Sequence, residues 1–143
     1  MSGENILALV QYRLQQADDA MRAGHVLLDQ ELFGDAVNRA YYAMFYAVLA
    51  LLVTKQLGTS KHQGAISLFD REFVRAGVFD RELSAWLHMA FDMRLNADYK
   101  ELVAISHDEV VMALQHAMSF VSHVKSYLSQ LLTEPSDTES QEG

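Results

Sequence analysis

Apolar positions recur along this chain at helical spacing. Val10, Leu14, Ala17, Met21, Gly24 and Leu28 alternate at intervals of four and three, which predicts a helix over about residues 4–30 that buries one seam and ends near Leu32–Gly34. From about 35 to 57 apolar residues cover nearly the whole circumference, as in Ala40-Tyr-Tyr-Ala-Met-Phe-Tyr-Ala-Val-Leu-Ala-Leu-Leu-Val53. That helix needs cover on more than one side, so it is expected to be the central one and a candidate subunit interface. Gly58-Thr-Ser-Lys-His62 predicts a loop, with Gly58 closing the second helix and Thr59 or Ser60 capping a shorter third one that runs to about Ala76. Gly77-Val-Phe-Asp80 predicts the next turn. Asp80 opens a fourth helix lined by Leu83, Leu87, Ala90, Arg94 and Ala97. The last helix is predicted to start at a capping box, Ser106-His-Asp-Glu109, and Val110, Leu114, Ala117, Val121, Val124, Leu128 and Leu131 then repeat the four-three rhythm.

Together these elements predict an all-α fold, an antiparallel up-and-down four-helix bundle with one additional short helix, occupying residues 1–132. The only proline is Pro135, inside Thr133-Glu-Pro-Ser-Asp-Thr-Glu-Ser-Gln-Glu-Gly143, which is expected to be a disordered acidic tail. The chain has 143 residues, half of them apolar, the size of a single domain with a substantial core.

Charge narrows the function. Eleven basic and nineteen acidic residues give −8, which opposes broad coating of nucleic acid, because such binding needs many phosphate-neutralising cations. The charge is unevenly placed, however. Residues 39–100 hold eight basic and six acidic groups, a local balance of +2, so an anionic ligand is expected there. With no cysteine there is no disulfide framework, thiolate metal site or cysteine nucleophile. The opening Met-Ser-Gly-Glu-Asn has no basic n-region or cleavage pattern, and the uncharged stretch Ala40–Thr54 is shorter than the ~20 residues of a membrane span. A cytoplasmic location without membrane contact is the expectation.

Arg94 is the most informative single residue, since it falls in the middle of the apolar stripe set by Leu83, Leu87 and Ala90. A structural explanation is an ion pair with Asp98, or a stem lying on the core with the guanidinium reaching water. The functional explanation is anion binding. On the second helix Arg39, Tyr42 and Tyr46 share a face, so Arg39 is placed to share an anion or a carboxylate with Arg94. Buried tyrosines otherwise serve as large apolar groups. Among six histidines none follows an Asp or Glu by three residues, so the ligand pairs of di-iron bundles are missing, and no metal or other cofactor is expected. His116 and His123 read as surface or half-buried groups, while His62, beside Lys61, is the candidate for proton transfer.

Three separated motifs carry a family resemblance. Asn38-Arg39-Ala40-Tyr41-Tyr42-Ala43-Met44-Phe45, Lys61-His62 and Arg94-Leu-Asn-Ala-Asp-Tyr99 resemble the HEPN family, specifically its small stand-alone prokaryotic branch, over about residues 5–132. The resemblance implies a bundle that forms a homodimer and pairs with a minimal nucleotidyltransferase (MNT) as toxin and antitoxin. It also implies a metal-independent ribonuclease whose active site is an arginine followed four to six residues later by histidine, at the dimer cleft. Such an arginine stabilises charge on the reacting phosphate, and such a histidine exchanges the proton of the 2′-hydroxyl. Arg94 matches the arginine, but positions 98, 99 and 100 are Asp, Tyr and Lys.

Three arrangements stay open. His62 supplies the base from another element, Asp98 or Tyr99 takes its place, or the site binds RNA or nucleotide phosphate without cleaving it. Tyr99 also matches a tyrosine that the nucleotidyltransferase of some family pairs modifies with AMP. The expected cleft residues are thus Arg94, His62 and Asp98 for catalysis and Arg39, Tyr42 and Lys61 for substrate. The alternative is a non-catalytic helical module for dimerisation and for protein or nucleotide binding.

Overall fold

The structure, a computed structural model, describes residues 2–99 and 104–133, and only the backbone of Asp98 and Tyr99. Its helices are α1 (Gly3–Asp29), α2 (Phe33–Thr54), α3 (His62–Phe69), α4 (Arg81–Tyr99) and α5 (His107–Thr133), with a π-helical turn at Asp70–Val74 continuing α3. No strand occurs among the described residues. The fold is all-α, as the periodicity predicts. The tail from residue 134 lies outside the described residues.

Helix starts follow local chemistry. The Ser2 hydroxyl accepts from the Asn5 N–H at 3.2 Å. At α5 the capping box forms in both directions, with Glu109 N–H donating to Ser106 Oγ (3.2 Å) and Ser106 N–H to Glu109 Oε1 (3.1 Å). The helix ends depart from the glycine pattern. α2 stops at Thr54, and the residue with left-handed backbone is Gln56 (φ 53°), not Gly58. Gln56 and Leu57 donate to the carbonyls of Val53 and Leu52, closing the helix by the usual pair of reversed hydrogen bonds. α1 ends identically, with Glu31 (φ 60°) and Leu32 bonded to Leu28 and Leu27. After α2 the leucine that follows the strained residue, Leu57, packs against the core, and this apolar return holds the turn that glycine would otherwise favour; Leu32 after α1 stays exposed. Neither Thr59 nor Ser60 caps α3. Lys61 is its N-cap residue, and Thr59 accepts the Lys61 N–H instead.

α2 packs against α1, α3, α4 and α5, and is the central helix. Lys125 lies against Asp18 while Leu114 lies against Gly24, so α5 runs antiparallel to α1. Gly24 also faces Ala36 and Arg39, as the short 30–32 connection requires of an antiparallel α1–α2 pair. Tyr41 meets Phe91 and Met44 lies beside Trp86, which makes α4 antiparallel to α2. The four long helices therefore run up, down, up, down.

At Gly24 the helices approach closely. A Cβ there would sit 2.8 Å from Leu114 Cδ2, so the glycine allows the three helices to close on a seam of Val10, Ala17 and Met21. On α5 the predicted seam is buried from Val110 to Leu128, but Leu131 is exposed. Helix α2 reaches 22 residues and by length and composition alone passes for a membrane span, yet 67% of its apolar window is buried inside the bundle.

Candidate functional site

The chemistry-bearing residues of the middle segment meet where α2, α3 and α4 converge. Tyr41, fully buried on α2, places its hydroxyl 2.7 Å from His62 Nδ1 at the first turn of α3. The His62 ring stacks on Phe45 with centroids 4.3 Å apart and meets the Tyr42 ring edge-on at 5.6 Å. From α4 the Arg94 guanidinium lies 5.4 Å from the centroids of both Tyr41 and Tyr42. Arg39 approaches Tyr42 from its own helix at 4.8 Å, its fork held by Asn38 Oδ1 at 2.9 and 3.2 Å. Two cations and a histidine thus share one aromatic platform, a setting that favours planar guanidinium groups.

The electrostatics follow from this packing. Burial pushes the Tyr41 phenol above its ordinary value, with Arg94 opposing the shift, so the hydroxyl keeps its proton. Burial, and secondarily the charge of Arg94, push His62 below 6.5, so its imidazole is neutral at pH 7. The buried phenol has one proton and, among the described residues, one hydrogen-bond partner, His62 Nδ1. The phenol proton is satisfied when it donates to Nδ1, an assignment that leaves the proton of the neutral imidazole on Nε2.

With this geometry in view, comparison with known proteins is decisive. The HEPN domain family matches residues 10–127. The chain belongs to that family. A UPF0332 protein of Thermotoga maritima is 35% identical over 123 residues, covering 86% of this chain and 93% of its own. Two proteins of Methanocaldococcus jannaschii are similar as well. One, named Putative toxin MJ0142, is 34% identical over 115 residues (80% of this chain, 78% of that protein). The other, named Putative toxin MJ0605, is 32% identical over 123 residues (86% and 91%).

Of the residues singled out in the sequence of this HEPN domain, Arg94, His62, Tyr42 and Arg39 come together. Tyr46 joins them through its ring contact with Tyr42 at 5.7 Å. Lys61 is exposed immediately before His62. Asp98 and Tyr99 fall in the last turn of α4, and their side chains lie outside the described residues. The remaining histidines sit elsewhere: His116 stacks on Trp86 at 5.0 Å, and His123 donates to the Ser119 carbonyl.

Sequence reasoning named Tyr41 and Phe45 only as members of the Asn38–Phe45 motif, gave them no role in the site, and overlooked Phe91. Tyr41 reads as one more apolar residue of a helix that is apolar all round. The signal that would have found it is a phenol on the α2 face that must be covered, since a buried hydroxyl demands a partner and few lie within reach.

Proposed function

We propose that this HEPN domain is the toxin-type component of a toxin–antitoxin pair and that its aromatic platform binds an RNA phosphate. Arg94 supplies the charge and the His62 Nε2–H a second donor, with Arg39 and Lys61 at the margin. The single observation that carries this reading is the convergence of Arg94 and His62 on the rings of Tyr41 and Tyr42. A guanidinium over aromatic rings combines cation–π attraction with planar N–H donors that match phosphate oxygens.

Binding is favoured over cleavage by the same geometry. A metal-independent ribonuclease needs a base for the 2′-hydroxyl proton, and a neutral imidazole already protonated on Nε2 has no lone pair there. His62 in this state serves as donor, not base. The relatives named as toxins support the toxin-type role, and with it an antitoxin partner, for which the minimal nucleotidyltransferase class is the candidate. The reading includes a homodimer that brings two such platforms to one cleft.

The test uses purified, folded protein with EDTA present, measuring RNA binding and RNA cleavage for wild type and Arg94→Ala. Expected is binding by the wild type that Arg94→Ala weakens by at least tenfold, without cleavage. Cleavage by wild type alone would overturn the donor assignment of His62 and restore a ribonuclease with an unusual base. No binding and no cleavage would overturn the RNA reading in favour of a helical protein-binding module.

A further inference from the structure

Two neighbouring grooves lie beside the platform, between the α3 segment with its π-helical turn and α4. The first, of about 350 Å³, is lined by Gln63, Ile66, Ser67, His88 and Phe91, with Asp92 as its one carboxylate. It begins at the residue after His62, and Phe91 in its wall is the same ring that packs on Tyr41 at 5.5 Å. His88 also lines the second groove, of about 420 Å³, whose far end is formed by Arg75 and Arg81 with Ser84. The platform and the two grooves thus follow one another along α4, with Phe91 between the platform and the first groove and His88 between the two grooves. From Arg94 to Arg81 the series spans thirteen residues of helix, about 20 Å at 1.5 Å per residue.

The charges at the far end are arranged for an anion. Arg75 and Arg81 are exposed, and among the described residues neither takes part in an ion pair. Nearby cations differ in this respect: Arg71 and Lys55 both pair with Glu72, at 2.8 and 3.8 Å. The carboxylate of the second groove, Asp70, is engaged on both oxygens, accepting from Ser84 Oγ at 2.7 Å and bonded to His88 Nε2 at 2.8 Å. Asp70 is also the first residue of the π-helical turn, and its carbonyl accepts the Arg75 N–H across that turn at 2.8 Å. The widened turn sets Arg75 opposite the start of α4, where Arg81 stands. Irregular turns of this kind recur at functional sites.

We infer that the α3–α4 groove is a track for single-stranded RNA, with one phosphate at Arg94 and His62 and a later phosphate of the same strand between Arg75 and Arg81. The inference rests on the phosphate-binding reading of the platform and extends it to the direction and length of the strand. Phe91 and Ile66 give the middle of the track an apolar wall suited to base contact, while Gln63 and Ser67 offer hydrogen bonds. A single nucleotide fills the platform alone; a longer strand reaches the two arginines.

The experiment compares a fluorescein-labelled oligouridine of about twelve nucleotides with uridine monophosphate as competitor. The proteins are wild type, Arg75→Ala/Arg81→Ala, Arg94→Ala and, as control, Arg22→Ala, an exposed arginine of α1 paired with Asp19. Both groove arginines are exposed, so their removal leaves the core intact. The double variant is expected to bind the oligonucleotide roughly tenfold or more weakly, because charge-assisted hydrogen bonds are lost. Its slope of log affinity on log salt should fall by about 0.7, as the loss of one phosphate contact in a single strand requires. Its affinity for uridine monophosphate should match wild type. Oligonucleotide binding that depends on Arg94 but not on Arg75 and Arg81 would overturn the track and leave the platform standing. An equal loss in Arg22→Ala would also overturn it, by showing that general charge suffices. Failure of the wild type to bind the oligonucleotide would overturn both the track and the platform reading.

Discussion

The hydroxyl of Tyr41 and Nδ1 of His62 lie 2.7 Å apart, joining the interior of α2 to the first turn of α3. One bond links two things at once. It satisfies the only polar atom of a fully buried phenol and, with the phenol as donor, selects the imidazole tautomer that presents Nε2–H. The orientation of the candidate site is thus set by a residue that no ligand reaches.

Tyr41→Phe should release that tautomer while keeping the ring in place. Nitrogen NMR of the imidazole should show His62 protonated at Nε2 in the wild type and a mixture of tautomers in the variant. Loss of one neutral hydrogen bond should cost about 1 kcal/mol in urea denaturation. A wild-type spectrum with the proton on Nδ1 would reverse the bond's direction and return His62 to the role of a base.

Acid should weaken the fold through the same group. His62 and His116 are both held below 6.5 in the folded protein, chiefly by burial. Below that pH the unfolded chain binds more protons than the folded one, so stability is full above 6.5 and falls as the pH drops through the folded values. Tyr41 acts at the other end. Its pKa is raised, so above the ordinary value of 10 the unfolded state loses its proton first and stability declines again. Thermal midpoints measured from pH 5 to 8 should drop on the acid side, and the drop should be shallower in His62→Gln. An equal drop in that variant would place the acid sensitivity elsewhere.

Two helix ends should be open to improvement. Glu31 and Gln56 hold left-handed backbone at φ 60° and 53°, a conformation that crowds any side chain and suits glycine. Glu31→Gly and Gln56→Gly should each stabilise by about 0.5–1 kcal/mol, the relief of strain exceeding the added entropy of the unfolded chain. The check is the urea midpoint at unchanged slope. A loss in either variant would mean that the side chain makes a contact worth more than its strain.

Those helix ends also explain what the sequence could convey. Helix interiors were legible because Val10 to Leu28 and Val110 to Leu128 repeat at a spacing that only a helix can bury. The ends were less so. Gly58 is an attractive stop signal, but the apolar return of Leu57 onto the helix closes α2 earlier and places Gln56 where glycine is favoured. At the site, Arg94 stood out because a charge in an apolar stripe breaks a local pattern, and His62 because it lies in a basic loop. Tyr41 broke no pattern in a helix buried on every side. That His62 approaches Arg94 depends on the packing of α3 against α2 and α4, a relation between distant segments that no local spacing encodes.

Arg94 supplies the last test, because charge and shape at this position can be separated. Its guanidinium rests against two tyrosine rings, where a plane of delocalised charge stacks and an ammonium does not. Arg94→Lys keeps the charge but loses both the stacking and the two-pronged contact with phosphate. If the platform positions the cation, Arg94→Lys should bind RNA almost as weakly as Arg94→Ala, each at least tenfold below wild type, with a salt slope preserved only in the lysine variant. Near wild-type affinity in Arg94→Lys would mean that charge alone attracts the strand and that the aromatic floor serves packing. The same pair of variants should leave the neutral state of His62 distinguishable. Arg94→Ala removes one of the two influences that lower its pKa, so the imidazole should titrate closer to 6.5, while Arg94→Lys should hold it down.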